Sequence, residues 1–191
     1  LMLINQRADC ARRVAQIKLA TSQSGDALFY RPEREAQILR AIQEVNPGPL
    51  PADFAARIFR EIMSSCLALE RPLTVGFLGP SGTYSQAAAI KHFGQSAIHQ
   101  SAPTIRDVFR QVEDRVCDMA VVPVENSTEG MVGQTLDCFL ESALHIVGEV
   151  ELPIIHHLLV GGDTTMETIT AVCGHEQALG QCREWLDANL P

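Results

Sequence analysis

Val75-Gly76-Phe77-Leu78-Gly79-Pro80-Ser81-Gly82-Thr83-Tyr84-Ser85 runs from a short apolar stretch through a glycine-proline turn into an alanine-rich helical pattern. That order of strand, turn and helix leaves backbone N–H groups and hydroxyls unpaired at a helix N-terminus. The helix dipole adds partial positive charge there, so the turn suits a carboxylate or a phosphate. Taken alone, the same residues equally make an ordinary strand-to-helix turn. A second polar cluster, Val122-Pro123-Val124-Glu125-Asn126-Ser127, closes another apolar run and favours the ligand-binding reading.

From Pro72 onward, short apolar runs at 73–78, 97–100, 119–124, 145–152, 155–160 and 169–172 alternate with helical patterns. The helical patterns lie at 84–93, 104–116, 132–142 and 176–188, and Thr104 followed by Asp107 has the form of a helix-start cap. Such alternation predicts an α/β fold with a largely parallel sheet. Ligands of such sheets bind at the carboxyl ends of the strands, where residues 80–85 and 125–127 both fall.

Residues 1–70 read differently, with no convincing strand. Leu3, Arg7, Ala11, Val14 and Lys18 recur at helical spacing. A second helix is expected from Pro32, whose fixed φ suits the first helical position, with Glu33 and Glu35 in its first turn. A third starts near Pro51-Ala52-Asp53 and carries Ile58, Ile62, Cys66 and Leu69. Three amphipathic helices without a sheet make a helical hairpin or a piece of a bundle. The first apolar pattern begins at residue 1 without a cap, which reads as a helix whose earlier turns lie outside this sequence. Arg7 and Lys18 are eleven residues apart and project from one face, Arg34 is in line with Ile38 and Ile42, and Glu70 continues the Ile58, Ile62, Cys66 spacing. One such cation alone usually reaches solvent along its stem. Together they predict a small, cation-rich pocket inside a bundle.

The chain has 191 residues with 46% hydrophobic and 20% charged residues, the composition of an ordinary globular protein. Net charge is −8 and uneven: residues 1–71 carry ten Lys/Arg against eight Asp/Glu, and the remainder five against fifteen. General nucleic-acid binding is therefore not expected. The six cysteines show no metal spacing and are expected to be reduced and mostly buried. Neither a signal peptide nor a membrane-length apolar run stands out, so a cytoplasmic setting is expected. No ligand cluster or phosphate-loop lysine supports a metal or a nucleotide cofactor.

Arg7, Lys18, Arg34-Glu35 and the Cys66…Glu70 pair resemble the all-helical type of chorismate mutase. Residues 73–191 resemble the first part of a prephenate dehydratase domain. The motifs are Gly79-Pro80-Ser81-Gly82-Thr83-Tyr84-Ser85, Val121-Val122-Pro123-Val124-Glu125-Asn126-Ser127 and His175-Glu176-Gln177-Ala178-Leu179…Gln181-Cys182. In this order the two are similar to the bifunctional enzymes that lead to phenylalanine in bacteria. The expected architecture is an all-α segment of chorismate mutase type (1–71, incomplete), then an α/β domain resembling the two-lobed, periplasmic-binding-protein-like prephenate dehydratase (72–191, incomplete).

For the first segment the resemblance implies rearrangement of chorismate to prephenate. Arg7 and Arg34 would grip carboxylates, Lys18 would donate to the breaking ether oxygen, Glu35 would accept from the substrate hydroxyl, and Cys66 would line the pocket. The family often has glutamine where this chain has Glu70, and serine where it has Cys66. A glutamate donates to the ether oxygen only when protonated. Mutase activity is thus expected to decline as pH rises through the Glu70 titration, with a flatter profile in Glu70→Gln. The family's interlocked helical dimer implies a homodimer.

For the second segment the resemblance implies decarboxylating dehydration of prephenate to phenylpyruvate. Thr83, Ser85 and nearby backbone would bind the substrate carboxylate, with Glu125, Asn126 and Ser127 opposite and His175 and Gln181 from the second lobe. Alone, His175 and Gln181 read as capping or surface residues. Glycine at 174 stands where the family usually has serine. The family's cross-subunit arginine, its Thr-Arg-Phe motif with the proton-donating threonine, and its phenylalanine-sensing domain lie outside these residues. An internal fragment of a longer enzyme is expected, without dehydratase activity of its own and with phenylalanine as effector only of the longer protein. Rival readings are a non-catalytic carboxylate-binding module with a helical dimerisation hairpin, and an arogenate dehydratase.

Overall fold

The computed structural model of the chain describes residues 1–21, 29–128 and 130–190. Its first elements are three helices: α1 (Met2–Thr21), α2 (Pro32–Val45) and α3 (Ala52–Glu70). Pro32 does open α2, with Glu33 and Glu35 in the first turn, where negative charge suits the helix dipole. The helix stops at Asn46, whose neighbour Pro47 restricts it to extended backbone. α3 packs against both α1 and α2.

The chain then alternates as β1 (Thr74–Leu78), α4 (Tyr84–Phe93), β2 (Ile98–Ala102), α5 (Ile105–Glu113) and β3 (Met119–Val121). The three strands form a parallel sheet in the order β2-β1-β3, with Phe77 opposite Ser101 on one side and Val121 on the other. Parallel neighbours need crossover connections, and α4 and α5 supply them. β4 (Glu125–Asn126), β5 (Gly130–Met131) and α6 (Gly133–Glu141) follow, then a 3₁₀ turn at Met166–Thr168, α7 (Glu176–Gln181) and α8 (Arg183–Asn189).

Val75 and Phe77 on the central strand are fully buried. Each such side chain contributes about 1.5–3 kcal/mol. Their cluster includes Leu73, Ala89 and Phe93 from the sheet segment and Tyr30 from the helical one, with Leu67 of α3 packed against it. One core thus spans Arg71-Pro72. Arg71 pairs with Asp118, whose second oxygen accepts Thr74 N at 2.9 Å. The chain divides into two compact units: Leu1–Asn126 with Met131–Leu152, and Ser127–Gly130 with Pro153–Pro191.

Four expectations need correction. The apolar runs at 145–152, 155–160 and 169–172 form no strand among the described residues. A strand needs a ladder partner as well as composition. Ile146, Ile155 and Leu159 are exposed instead. The helix expected over 176–188 breaks at Cys182, whose N–H bonds to Ala178 O and Leu179 O, both at 3.2 Å; the weak helix former Gly180 lies just before. On α1 the covered stripe is Ala8, Ala11, Ala15 and Lys18, while Leu3 and Val14 are exposed, because α3 packs against that side of the helix. Only Cys66, Cys117 and Cys138 of the six free thiols are buried.

Candidate functional site

In the helical segment, Lys18 from the last turn of α1 and Glu70 from the last residue of α3 meet, with Nζ 3.3 Å from Oε2. Both are half-buried, and Nζ also lies 5.0 Å from the centroid of the Phe29 ring. Cys66, buried one turn before Glu70, lies on the same side of α3. Here Glu70 accepts from Lys18. A partly exposed pair of this kind is worth about 0–1 kcal/mol, so a ligand that attracts the ammonium can separate it cheaply.

Glu35 turns to Arg60 of α3, whose Nε lies 3.9 Å from Oε1. Burial raises the Glu35 carboxyl above its ordinary range, and the Arg60 charge works against that rise. Tyr30, beside them, is pushed well up by burial and by the Glu35 charge. Arg34 and Arg7 do not point inward, contrary to expectation. Arg34 lies exposed at the mouth of an apolar groove of about 500 Å³ lined by Ile38, Ile42, Val45 and Phe59. Arg7 is exposed and makes no ion pair among the described residues. The physical reason is hydration: three helices of one chain cover only one side of α1 and α2, and a guanidinium without a buried partner stays in water.

In the α/β segment, Thr83 follows β1 and caps α4. Its Oγ1 accepts from Gln86 N at 3.4 Å and donates to Leu78 O at 3.1 Å, while Gln86 Oε1 accepts from Gly82 N at 2.6 Å. Gly82 has φ of +88°, a conformation glycine adopts without strain. Gly79 passes close to β2: its N–H bonds to Ala102 O at 2.8 Å, and a Cβ there would lie 2.9 Å from Ser101 Cβ. Ser85 is half-buried in the first turn of α4.

Glu125 and Asn126 follow β3. β1 and β3 are adjacent and parallel, so the Thr83 and Asn126 loops leave the same carboxyl edge of the sheet. Glu125 is exposed and Asn126 half-buried. Ser127, His175 and Gln181 belong to the second unit. There His175 caps α7 through Nδ1, which accepts from Gln177 N at 3.3 Å, and Gln181 Oε1 lies 2.7 Å from His156 Nε2.

Two residues that the sequence does not single out hold these groups. Thr135, fully buried in the first turn of α6, donates from Oγ1 to Pro123 O at 2.6 Å, and Val132 N bonds to Val124 O at 2.8 Å. These two bonds anchor the stretch that leads to Glu125. The other is Arg60, whose alternation with apolar neighbours on α3 reads as an ordinary surface cation. Neither leaves a signal in sequence, because its role depends on a partner far along the chain.

Residues 75–191 match the family described as prephenate dehydratase, and residues 1–71 the one described as chorismate mutase type II. A bifunctional chorismate mutase/prephenate dehydratase of Stutzerimonas stutzeri is 57% identical over the whole of this chain and 53% of its own length. The namesake from Pseudomonas aeruginosa is 55% identical over the same shares. That from Escherichia coli K12 is 33% identical over 98% of this chain and 52% of its own length. The chain therefore spans about half the length of these curated relatives. No solved structure matches it at a significant level.

Proposed function

The chain belongs to the prephenate dehydratase family, with a chorismate mutase type II segment ahead of that domain, and from this premise we propose that the protein performs both reactions on the way to phenylalanine. Chorismate is rearranged to prephenate at the helical segment. Prephenate then loses carbon dioxide and its ring hydroxyl, becoming phenylpyruvate, at the α/β segment. The observation that carries the reading is the meeting of Lys18 with Glu70 across 52 residues of sequence, in the last turns of two helices.

The rearrangement breaks a C–O bond and forms a C–C bond within one molecule, without proton transfer. It needs the compact conformer to be held and the charge developing on the ether oxygen to be stabilised. Lys18 donates to that oxygen, Glu70 and Cys66 stand beside it, Glu35 accepts from the ring hydroxyl, and Arg7 and Arg34 hold the carboxylates. The exposed positions of both arginines, the exposed Leu3, Ile4, Ile17 and Leu19 of α1 and the groove beside Arg34 support a homodimer in which a second copy completes the pocket. The dehydratase step holds a dicarboxylate at the N-terminus of α4, with Ser85 there and Thr83 shaping the turn, facing Glu125 and Asn126 from the neighbouring strand end. By the family resemblance alone, Ser127, His175 and Gln181 are assigned to the same substrate in a two-lobed domain. A cytoplasmic setting, with phenylalanine as effector of the longer protein, belongs to the same proposal; no described helix is long and apolar enough to cross a membrane.

The test is to supply chorismate to the whole protein and to follow both products. Prephenate, then phenylpyruvate, is expected, and Asn126→Ala should let prephenate accumulate. A protein that leaves chorismate untouched contradicts the mutase half. Undiminished phenylpyruvate formation by Asn126→Ala contradicts the placement of the second site.

A further inference from the structure

A buried guanidinium nitrogen is left without a hydrogen bond at the place where the helical and sheet segments join. Arg60 Nε is inaccessible to solvent and unpartnered among the described residues, 3.9 Å from Glu35 Oε1. About a fifth of the Glu35 side chain and a quarter of that of Arg60 remain exposed. Glu35 borders a small cavity with Tyr30, Ser64, Leu67, Phe93 and Ala97. That wall comes from both segments: Tyr30 packs its ring 5.7 Å from Phe93 of α4.

A carboxylate placed against such a wall loses hydration and drifts toward its neutral form. A neutral carboxyl is a poor acceptor for a substrate hydroxyl. An adjacent guanidinium opposes the drift through its charge, and its unpartnered Nε offers that carboxylate a donor. Arg60 is the cation in reach of Glu35, and it also acts electrostatically on Tyr30 and on His92 of α4. Other charged groups near by are Glu33, which acts on Tyr30, and Glu61, which is engaged by Gln95 N at 3.1 Å.

We propose that Arg60 is a positioning residue for the mutase reaction: it holds Glu35 ionised and oriented, against a wall partly built by the dehydratase segment, so that Glu35 can accept the hydroxyl of chorismate. The inference rests on the mutase reading above. It goes beyond it in making the hydroxyl acceptor dependent on α4 and on a residue that touches no substrate. Burial raises the Glu35 carboxyl and Arg60 lowers it, so loss of Arg60 moves its titration upward. Activity that needs the carboxylate then falls away at a higher pH as the solution is acidified.

The experiment measures kcat/KM for chorismate from acidic to alkaline pH in the whole protein, for wild type, Arg60→Ala, Arg60→Lys and Glu35→Gln. The acid limb of Arg60→Ala should lie at higher pH than that of wild type, with activity lost on the limb and recovered toward alkaline pH. Arg60→Lys should restore most of the limb's position, and Glu35→Gln should lack it. A uniform loss at every pH in Arg60→Ala, with the limb unmoved, overturns the proposal as a purely structural effect. A ¹³C NMR titration of the Glu35 carboxyl in wild type and Arg60→Ala provides a readout independent of activity. Equal midpoints overturn the proposal whatever the substrate. A moved midpoint in a protein that does not consume chorismate instead removes the mutase reading and leaves the pairing standing.

Discussion

Replacing Thr135 by valine isolates a single hydrogen bond under the second motif. Thr135 is fully buried, and its Oγ1 lies 2.6 Å from the carbonyl oxygen of Pro123. Valine has the same shape, so no cavity opens. The change removes the donor and leaves the carbonyl of half-buried Pro123 without this partner, which costs up to about 1–3 kcal/mol. The added methyl returns about 0.8 kcal/mol of apolar burial, for a net loss of up to about 2 kcal/mol. In a chain of this size that lowers Tm by up to roughly 8 °C. Thr135→Ser keeps the hydroxyl and loses only a buried methyl, so it should lower Tm modestly and leave turnover intact. Calorimetry measures both, and prephenate turnover reports on Glu125 and Asn126, which follow Pro123 by two and three residues. A Thr135→Val protein with wild-type Tm and turnover would refute the reasoning, since the bond would then neither stabilise the chain nor place the motif.

Thr83→Ala removes the cap of α4 and the bond to Leu78 O. It should cost about 1 kcal/mol, with Thr83→Ser close to wild type in urea unfolding. Burial, and secondarily the Arg60 charge, lower His92 below its ordinary value of 6.5. The folded chain then binds this proton less well than the unfolded one. Its stabilising effect is complete above pH 6.5 and is lost as pH falls from there through the folded value. His92→Gln should flatten the dependence of the urea midpoint on pH below 6.5, and an unchanged slope would remove His92 from the account.

Local chemistry made much of the fold legible. Pro32 and Thr104 mark helix starts that the structure places at those positions, because a fixed φ and a capping hydroxyl act within one turn. β1 (Thr74–Leu78) was legible in the apolar run at 73–78, as expected of a central parallel strand with both faces covered. The same signal failed at 145–172, where Ile146 and Leu159 have strand composition and no ladder partner. For the site, the spacing of Lys18 and Glu70 on their own helices foretold an inward aim for both. The equivalent argument for Arg7 and Arg34 failed, since a helical wheel gives direction and says nothing of what lies opposite. Thr135 and Arg60 were invisible because Pro123 and Glu35, their partners, are 12 and 25 residues away.

The most direct measurement is the saturated rate of chorismate conversion by the whole protein, with Lys18 intact and as Lys18→Ala. Loss of a donor aimed at charge that develops in the transition state lowers kcat by about 10²–10³. The account predicts a loss of that size, with prephenate dehydration unaffected. A Lys18→Ala protein that rearranges chorismate at the wild-type rate would contradict it.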